Sequence, residues 1–339
     1  MSVPPKPDIR DVARTAGVSV GTVSNVLNRP DLVAAPTRQR VERALADLHY
    51  VRNESARQLR RGQSRTVGLI VPDIANPFFT DMARGIEEVT RAADALVIVC
   101  NSDNEASNEL RYLTMLAEHQ VLGVLHVPAG ASATAVGRLR ERGTRVVLLD
   151  HKSRTKNQCS VSVNDVHGGE LAVSHLLSAG HRRIGFVGAG SSQARQVLDR
   201  LAGARRAMVA AGRDADDLTL LDVPSLNVPG GVAAARALMR LGARRRPTAV
   251  ACINDLLAIG MLQELIRSGV RVPGDIAIVG YDDIAFASVS AVPLTSIRQP
   301  RIQLGRRAAE LLLDEAFNPA HEHTREEFEP ELILRESSS

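Results

Sequence analysis

From Arg65 onward the chain alternates short β-branched runs with amphipathic helical stretches, and this alternation leaves few folds open. VGLIV (67–71), LVIVC (96–100), VLGVLHV (121–127), RVVLLD (145–150), IGFVG (184–188), TLLDV (219–223), AVACIN (249–254) and IAIVGYD (276–282) have the length and composition of buried strands. Helical periods fill the gaps; in the helix before Gly123, Leu110, Leu113, Thr114 and Ala117 recur at helical spacing and are expected to face inward. Strand and helix in strict alternation build βαβ units, so the expected fold class is α/β with parallel sheets. Neither a repeat of solenoid length nor a low-complexity tract interrupts the pattern.

The strands tend to finish on a polar residue. Asp73, Asn101, Asp150, Asn164, Asn254 and Asp282 all stand at a strand end or in the next turn. In open α/β sheets the ligand crevice lies outside the carboxyl ends of the strands, so these side chains are candidates for one polar small-molecule site. Asp and Asn at such places also serve as turn formers and helix caps, which is the alternative.

Charge separates a second region from this body. The net charge is +4, yet residues 1–66 hold twelve Lys and Arg against six Asp and Glu, which leaves the remainder slightly acidic. A basic segment joined to a near-neutral body points to an anionic partner, nucleic acid above all. Cys100, Cys159 and Cys252 are odd in number and widely spaced, so the spacing suggests neither a disulfide framework nor a structural zinc site, and no metal or cofactor is expected. No apolar run reaches the roughly 18 residues of a membrane span. The start, MSVPPKPDIRDVA, lacks the apolar core of a secretory signal, and a cytoplasmic protein is expected.

Within the basic region, residues 8–48 hold three short helical patterns: Ile9 to Ala16, a second after the Gly17 turn with Ser19 as its N-cap, and Thr37 to Leu48. On a helical wheel Thr22, Val23, Val26 and Leu27 share one face of the second helix, and Val20, Gly21, Ser24, Asn25 and Asn28 the other. The latter is a small polar face suited to a major groove, with Asn25 placed to pair with adenine and Val20 to touch a thymine methyl group. Val41, Ala44, Leu45 and Leu48 would close the small core. Gly17-Val18-Ser19-Val20-Gly21 matches the nucleophile-elbow pattern, but an elbow needs a strand before its serine, and here a helix precedes. Gly188-Ala189-Gly190 lacks the third glycine of a dinucleotide loop, Gln193 standing there. His321 and His323 form a His-x-His pair in a Glu-rich stretch that could bind metal adventitiously, but without further ligands a solvated loop is the expectation.

With these blocks in order, the chain closely resembles the lactose-repressor family of bacterial transcription regulators. DIRDVARTAGVSVGTVSNVLN, NESARQLRRG, VGLIVPDIANPFF, SHLLSAGHRRIGFVG, INDLLAIGMLQEL and VGYDDI with PLTSIRQP carry the resemblance across nearly the whole length. It implies an N-terminal helix-turn-helix headpiece over 1–52, a hinge helix over 53–65, a two-lobed periplasmic-binding-protein-like effector and dimerisation domain over 66–336, and a frayed tail at 337–339. The partners it implies are double-stranded operator DNA, a small-molecule effector and a second copy of the chain in a homodimer, with no membrane. It places the base-reading positions at Val20, Gly21 and Asn25, the face the wheel picks out, and the expected DNA contacts of this helix are Ser19, Val20, Gly21, Thr22, Ser24, Asn25 and Asn28. Family members usually carry Arg where this chain has Asn25, which shifts the expected preference from guanine toward adenine. In the linker it assigns Leu59 to a minor-groove wedge and Arg57, Arg60 and Arg61 to phosphates.

In the effector domain the resemblance assigns ligand contacts to Asn76, Phe78, Phe79, Asp150, Arg200, Asn254 and Asp282. Carboxylates, amides and a guanidinium suit hydroxyl groups, and a Phe face suits an apolar ring surface. Purine-binding members carry an aromatic where this chain offers Leu226, so a sugar effector is favoured over a purine. Two rivals remain: an exported transport binding protein, which the headpiece argues against, and a Rossmann-type enzyme, for which the sequence offers no intact phosphate loop, metal cluster or catalytic triad. The expected function is therefore non-enzymatic: a DNA-binding regulator, in the sense of a repressor, under the control of a small effector.

Overall fold

The computed structural model describes residues 7–51, 64–129, 133–188, 190 and 194–339. The chain divides into two compact units, the first ending at Gln63 and the second beginning at Ser64.

The described part of the first unit is built on three α-helices, α1 (Ile9–Ala16), α2 (Val20–Asn28) and α3 (Ala35–Asp47). Asp8 caps α1, accepting from the Arg10 and Asp11 amides while Asp11 accepts in return from the Asp8 amide. Gly17 ends it at φ 64°, a left-handed conformation that costs glycine nothing. Val12, Ala13, Ala16, Val23, Val26, Val41 and Ala44 fill the core, with Leu45 and Leu48 packed partly against it.

The second unit contains two six-stranded sheets. The first has the order β11-β5-β4-β3-β1-β2, from β1 (Thr66–Val71), β2 (Leu96–Asn101), β3 (Gly123–His126), β4 (Val146–Leu149), β5 (Ser160–Val163) and β11 (Arg325–Phe328). The second has the order β12-β10-β9-β8-β6-β7, from β6 (Ile184–Val187), β7 (Thr219–Leu221), β8 (Ala249–Cys252), β9 (Ala277–Asp282), β10 (Thr295–Arg298) and β12 (Glu331–Ile333). Every described pairing is parallel except that of β10 with β12. The chain passes between the sheets three times, after β5, after β10 and after β11. Two lobes joined by three crossings of the chain can close on a ligand without repacking either core.

Helices α4 (Pro77–Ala92), α5 (Ala106–Glu118) and α6 (Ala133–Glu141) follow strands of the first sheet; α7 (Asp165–Ser178), α8 (Arg195–Ala210), α9 (Val228–Arg240), α10 (Asp255–Arg267) and the short α11 (Ala285–Val289) belong to the second half. The last long helix, α12 (Arg301–Phe317), returns to pack against α4, β3 and β4. All eight expected strands are present, and this two-sheet parallel arrangement is the α/β class the alternation implied.

Two local expectations need correction. On α5 the buried positions are Glu109, Leu113 and Leu116, whereas Leu110 and Thr114 are exposed, because the helix lies rotated on β1 relative to the face the apolar spacing suggested. The C-terminal serines are not frayed. Ser337 Oγ donates to the Ile278 carbonyl at 2.6 Å and accepts from the Thr295 amide at 2.8 Å, and Ser338 Oγ lies 2.8 Å from both Thr295 Oγ1 and His175 Nε2. Small hydroxyl side chains satisfy backbone groups of β9 and β10, and both serines are buried.

Candidate functional site

In the first unit, Ser19 Oγ accepts from the Thr22 amide at 3.1 Å and sits 2.9 Å from Thr22 Oγ1, so it caps α2 rather than acting as a nucleophile. A helix precedes it, as the rejection of the elbow required. Val23 and Val26 are buried, Thr22 and Leu27 half-buried, and Val20, Gly21, Asn25 and Asn28 exposed. Val20 keeps 40% of its surface in solvent although it is apolar. Asn28 Nδ2 is turned back on the Ser24 carbonyl at 2.8 Å. The exposed Asn25 side-chain amide forms no hydrogen bond among the described residues, which leaves its donor and acceptor for an outside partner. Arg57, Leu59, Arg60 and Arg61 lie outside the described residues.

In the second unit a cleft of about 700 Å³ opens at the carboxyl ends of the strands. Asn76, Phe78, Phe79, Asp150, Arg200, Asn254 and Asp282 all line it. Of the polar strand ends, Asp73, Asp150, Asn254 and Asp282 reach the cleft. Asn101 and Asn164 do not: Asn101 accepts from the Ile74 amide at 2.8 Å, and Asn164 caps α7 through the His167 amide at 3.1 Å, so the turn-and-cap alternative holds for these two.

At the centre, Arg200 is 7% exposed and clamped on three sides. Its Nε donates to Asp165 Oδ1 at 2.7 Å, a terminal nitrogen donates to the Ile253 carbonyl at 2.6 Å, and the guanidinium stacks 3.7 Å from the centre of the Tyr281 ring. Tyr281 in turn donates to the same Asp165 oxygen at 3.0 Å. Glycines make room for this stack. A Cβ on Gly168 would stand 2.1 Å from the Tyr281 hydroxyl oxygen, and one on Gly169 would stand 1.9 Å from the Arg200 carbonyl oxygen.

The two buried carboxylates among the cleft-lining residues, Asp150 and Asp282, differ in how far their oxygens are committed. Asp282 Oδ1 accepts from Gln299 at 2.7 Å. Burial pushes its pKa up to about 6, with Arg200 opposing. Asp150 Oδ2 receives only a long bond from Gln196 at 3.3 Å, and its buried Oδ1 has no partner among the described residues. Burial, then the neighbouring Asp165, lift its carboxyl well above the usual range, against the pull of Arg200. Both aspartates have positive φ, 52° and 105°, and backbone strain of this kind concentrates where a fold holds a side chain for a ligand.

The remaining assigned residues have structural duties as well. Asn76 caps α4 through the Phe78 amide at 3.0 Å. Asn254 caps α10 through the Leu257 amide at 2.9 Å and donates to the Leu226 carbonyl at 2.9 Å. Phe78 is a core residue at 2% exposure, and Phe79, meeting it edge-on at a centroid distance of 5.1 Å, is only half-buried. Reasoning from strand ends missed Gln196, Asp103, Asn104, Glu105, Ser225 and Asn227, which also line the cleft. They sit in loops or at helix starts; Asn227, which caps α9 through the Gly230 amide at 3.2 Å, was detectable by the same polar-then-helix signal.

Residues 8–53 match the family described as bacterial regulatory proteins, lacI family, and residues 173–338 match the periplasmic binding protein-like domain. The HTH-type transcriptional repressor PurR of Photobacterium profundum is 34% identical over 330 residues, spanning 97% of this chain and 98% of its own. A lac repressor dimer bound to operator and the anti-inducer ONPF is similar at 27% identity and a TM-score of 0.82, covering 98% of this chain and 99% of that one. A complex of the transcriptional regulator CelR with cellobiose is similar at 31% identity and a TM-score of 0.71, with the same coverage of the two chains. The relative and both structures are transcriptional regulators, not enzymes.

Proposed function

This chain belongs to the lacI family of bacterial regulatory proteins, and on that premise we propose that it is a repressor that binds operator DNA as a homodimer and is switched by a sugar or sugar derivative in the cleft. The headpiece of 1–52 reads bases through Val20, Gly21 and Asn25, with Ser19, Thr22, Ser24 and Asn28 framing the contact. The linker of 53–65 supplies Leu59 as the wedge between base steps and Arg57 and Arg60 as phosphate contacts.

The observation that carries the effector class is the cleft's polarity. Asp150 presents an unpartnered oxygen, Arg200 and Asp282 lie beside it, and Phe79 is the one incompletely buried aromatic among the described lining residues. A pyranose or furanose offers hydroxyls around its rim and one modest apolar face, which matches carboxylates plus a single ring. A flat purine would gain most from rings on both faces. The purine reading stands second, favoured by the relatives named PurR.

The dimer is supported by uncovered apolar edges. Leu96 and Ile98 on edge strand β2 are 64% and 42% exposed, with Leu110 and Met115 of α5 also exposed, and a long apolar edge in water invites a partner.

Operator binding by anisotropy at one stated salt concentration, with sugars and purines titrated in, tests the whole reading. One sugar that shifts operator affinity, with a reciprocal effect of DNA on sugar affinity, is the expected result. A purine that does so, with sugars inert, replaces the effector class and leaves the repressor intact.

A further inference from the structure

On the side of the first sheet where β5 meets β11, four side chains converge that the cleft does not use. Cys159 immediately precedes β5, His321 and His323 lie in the loop before β11, and Glu315 is near the end of α12. One ligand atom from each lies within 4.8 Å of all the others. The Cys159 sulfur is 3.2 Å from His321 Nε2 and 3.6 Å from His323 Nδ1. For metal–sulfur and metal–nitrogen bonds of ~2.3 and ~2.0 Å, tetrahedral geometry separates S and N by about 3.5 Å. The observed separations bracket that value. We propose that Cys159, Glu315, His321 and His323 form a structural site for one zinc-class divalent cation.

Further features of the cluster suit ligation. Two ring nitrogens face this one sulfur, as they would around a shared cation. His321 Nδ1 lies 2.6 Å from Asp314 Oδ2; a proton shared with that carboxylate sits on Nδ1 and leaves the Nε2 lone pair aimed at the cluster, the arrangement that orients metal-bound histidines. The Thr324 amide donates to the sulfur at 3.4 Å, and Glu315 Oε2 is buried without a hydrogen-bond partner among the described residues. The His-x-His stretch is thus not simply a solvated loop: the His321 side chain is 6% exposed, packed against a cysteine 162 residues away. That separation is why motif spacing did not reveal the site. The ion would pin the start of β11, whose REEF sequence brings little apolar surface, onto β5.

The test uses the full chain, stripped by chelator and kept reduced, titrated with Co²⁺ and then Zn²⁺. One equivalent of Co²⁺ should give a thiolate-to-cobalt charge-transfer band and intense tetrahedral visible bands, displaced by one equivalent of Zn²⁺, and Zn²⁺ should raise Tm. Cys159→Ser should remove the charge-transfer band. His323→Ala, at an exposed position, should abolish the tetrahedral spectrum, and Asp314→Asn should lower Zn²⁺ affinity roughly 10- to 100-fold. A pale octahedral spectrum, a charge-transfer band that survives Cys159→Ser, or unchanged Zn²⁺ affinity in His323→Ala would each overturn the site.

Discussion

The reading helix and the effector cleft place their functional side chains under opposite structural obligations. On α2, Asn25 projects into solvent with its amide uncommitted, and Val20 is exposed although it is apolar. In the cleft, Arg200 bonds Asp165 and the Ile253 carbonyl and lies over Tyr281, while Asn76 and Asn254 hold the first turns of α4 and α10. A surface that meets a polyanion can keep its chemistry apart from its folding, because water satisfies every group until DNA arrives. Groups buried in a cleft have less water to satisfy them, so most of those that line this one also bond within the fold, Asp150 Oδ1 being left over. Substitution of the exposed Asn25 side chain should therefore report on function with little change in stability, and substitutions in the cleft on function and stability together.

The strongest test of that contrast is Arg200→Leu. It leaves Asp165 buried without its ion-pair partner, and breaking a buried pair from one side costs about 3–5 kcal/mol. Denaturant unfolding should show that loss together with loss of effector binding. Stability equal to wild type would mean that Arg200 is a ligand contact only, and the contrast would fail at its centre.

Asp282→Asn should act in the other direction on stability. The folded pKa of about 6 lies above the unfolded value near ~3.9, so the folded state holds the proton more tightly. This group's stabilising contribution is complete below about pH 4 and is lost as pH rises through about 6. At pH 7 the buried carboxylate is a net cost, and the amide should recover about 1–3 kcal/mol while weakening effector binding roughly tenfold or more by calorimetry. The rise in stability between about pH 6 and pH 4 should flatten in the variant. A variant with an unchanged pH profile would show that Asp282 is ionised as easily folded as unfolded.

These cleft residues also mark how far the sequence could be read. Most of the strands legible in it are central ones, buried on both faces and written as continuous Val, Ile and Leu runs. The edge strands β2 and β7 were legible too, because they keep the same apolar composition. The strands not anticipated are SVSV, TSIR, REEF and ELI, and they hide their signal in different ways. β5 is buried but half serine, its hydroxyls bonded to backbone as Ser160 is to the Ser153 amide at 3.0 Å. β11 and β12 are short, charged edge strands near the crossover between the lobes, where position in the sheet rather than hydrophobicity selects the sequence. In the site, residues at strand ends were legible because topology puts strand ends at the crevice. Asp165, Tyr281 and the Gly168–Gly169 pair were not, because their role is to hold Arg200 across sequence separations that no local pattern spans.

On the helix side, Asn25→Ala should cost about 1–3 kcal/mol of discrimination between operator and random DNA, the worth of one good base contact. Thermal stability should move by less than about 0.5 kcal/mol, since the side chain is exposed and unpaired within the described fold. An equal loss of affinity on both DNAs would show that Asn25 touches phosphate and reads no base.

The smallest effect, and the finest test of the separation, is expected at Gly21. Its φ is not in the left-handed region, and an added Cβ would meet only Ser19 Oγ at 3.6 Å, an ordinary contact. Folding therefore does not require glycine there, and its place inside α2 costs about 0.5–1 kcal/mol relative to alanine. Gly21→Ala should raise the stability of the headpiece by that amount. If the glycine is there so that the backbone can lie close to a base edge, the same methyl group will weaken operator binding even as the helix becomes more stable. A variant that gains in both would show that DNA does not approach α2 at this position, and the reading face would then be centred on Asn25 and Asn28 instead.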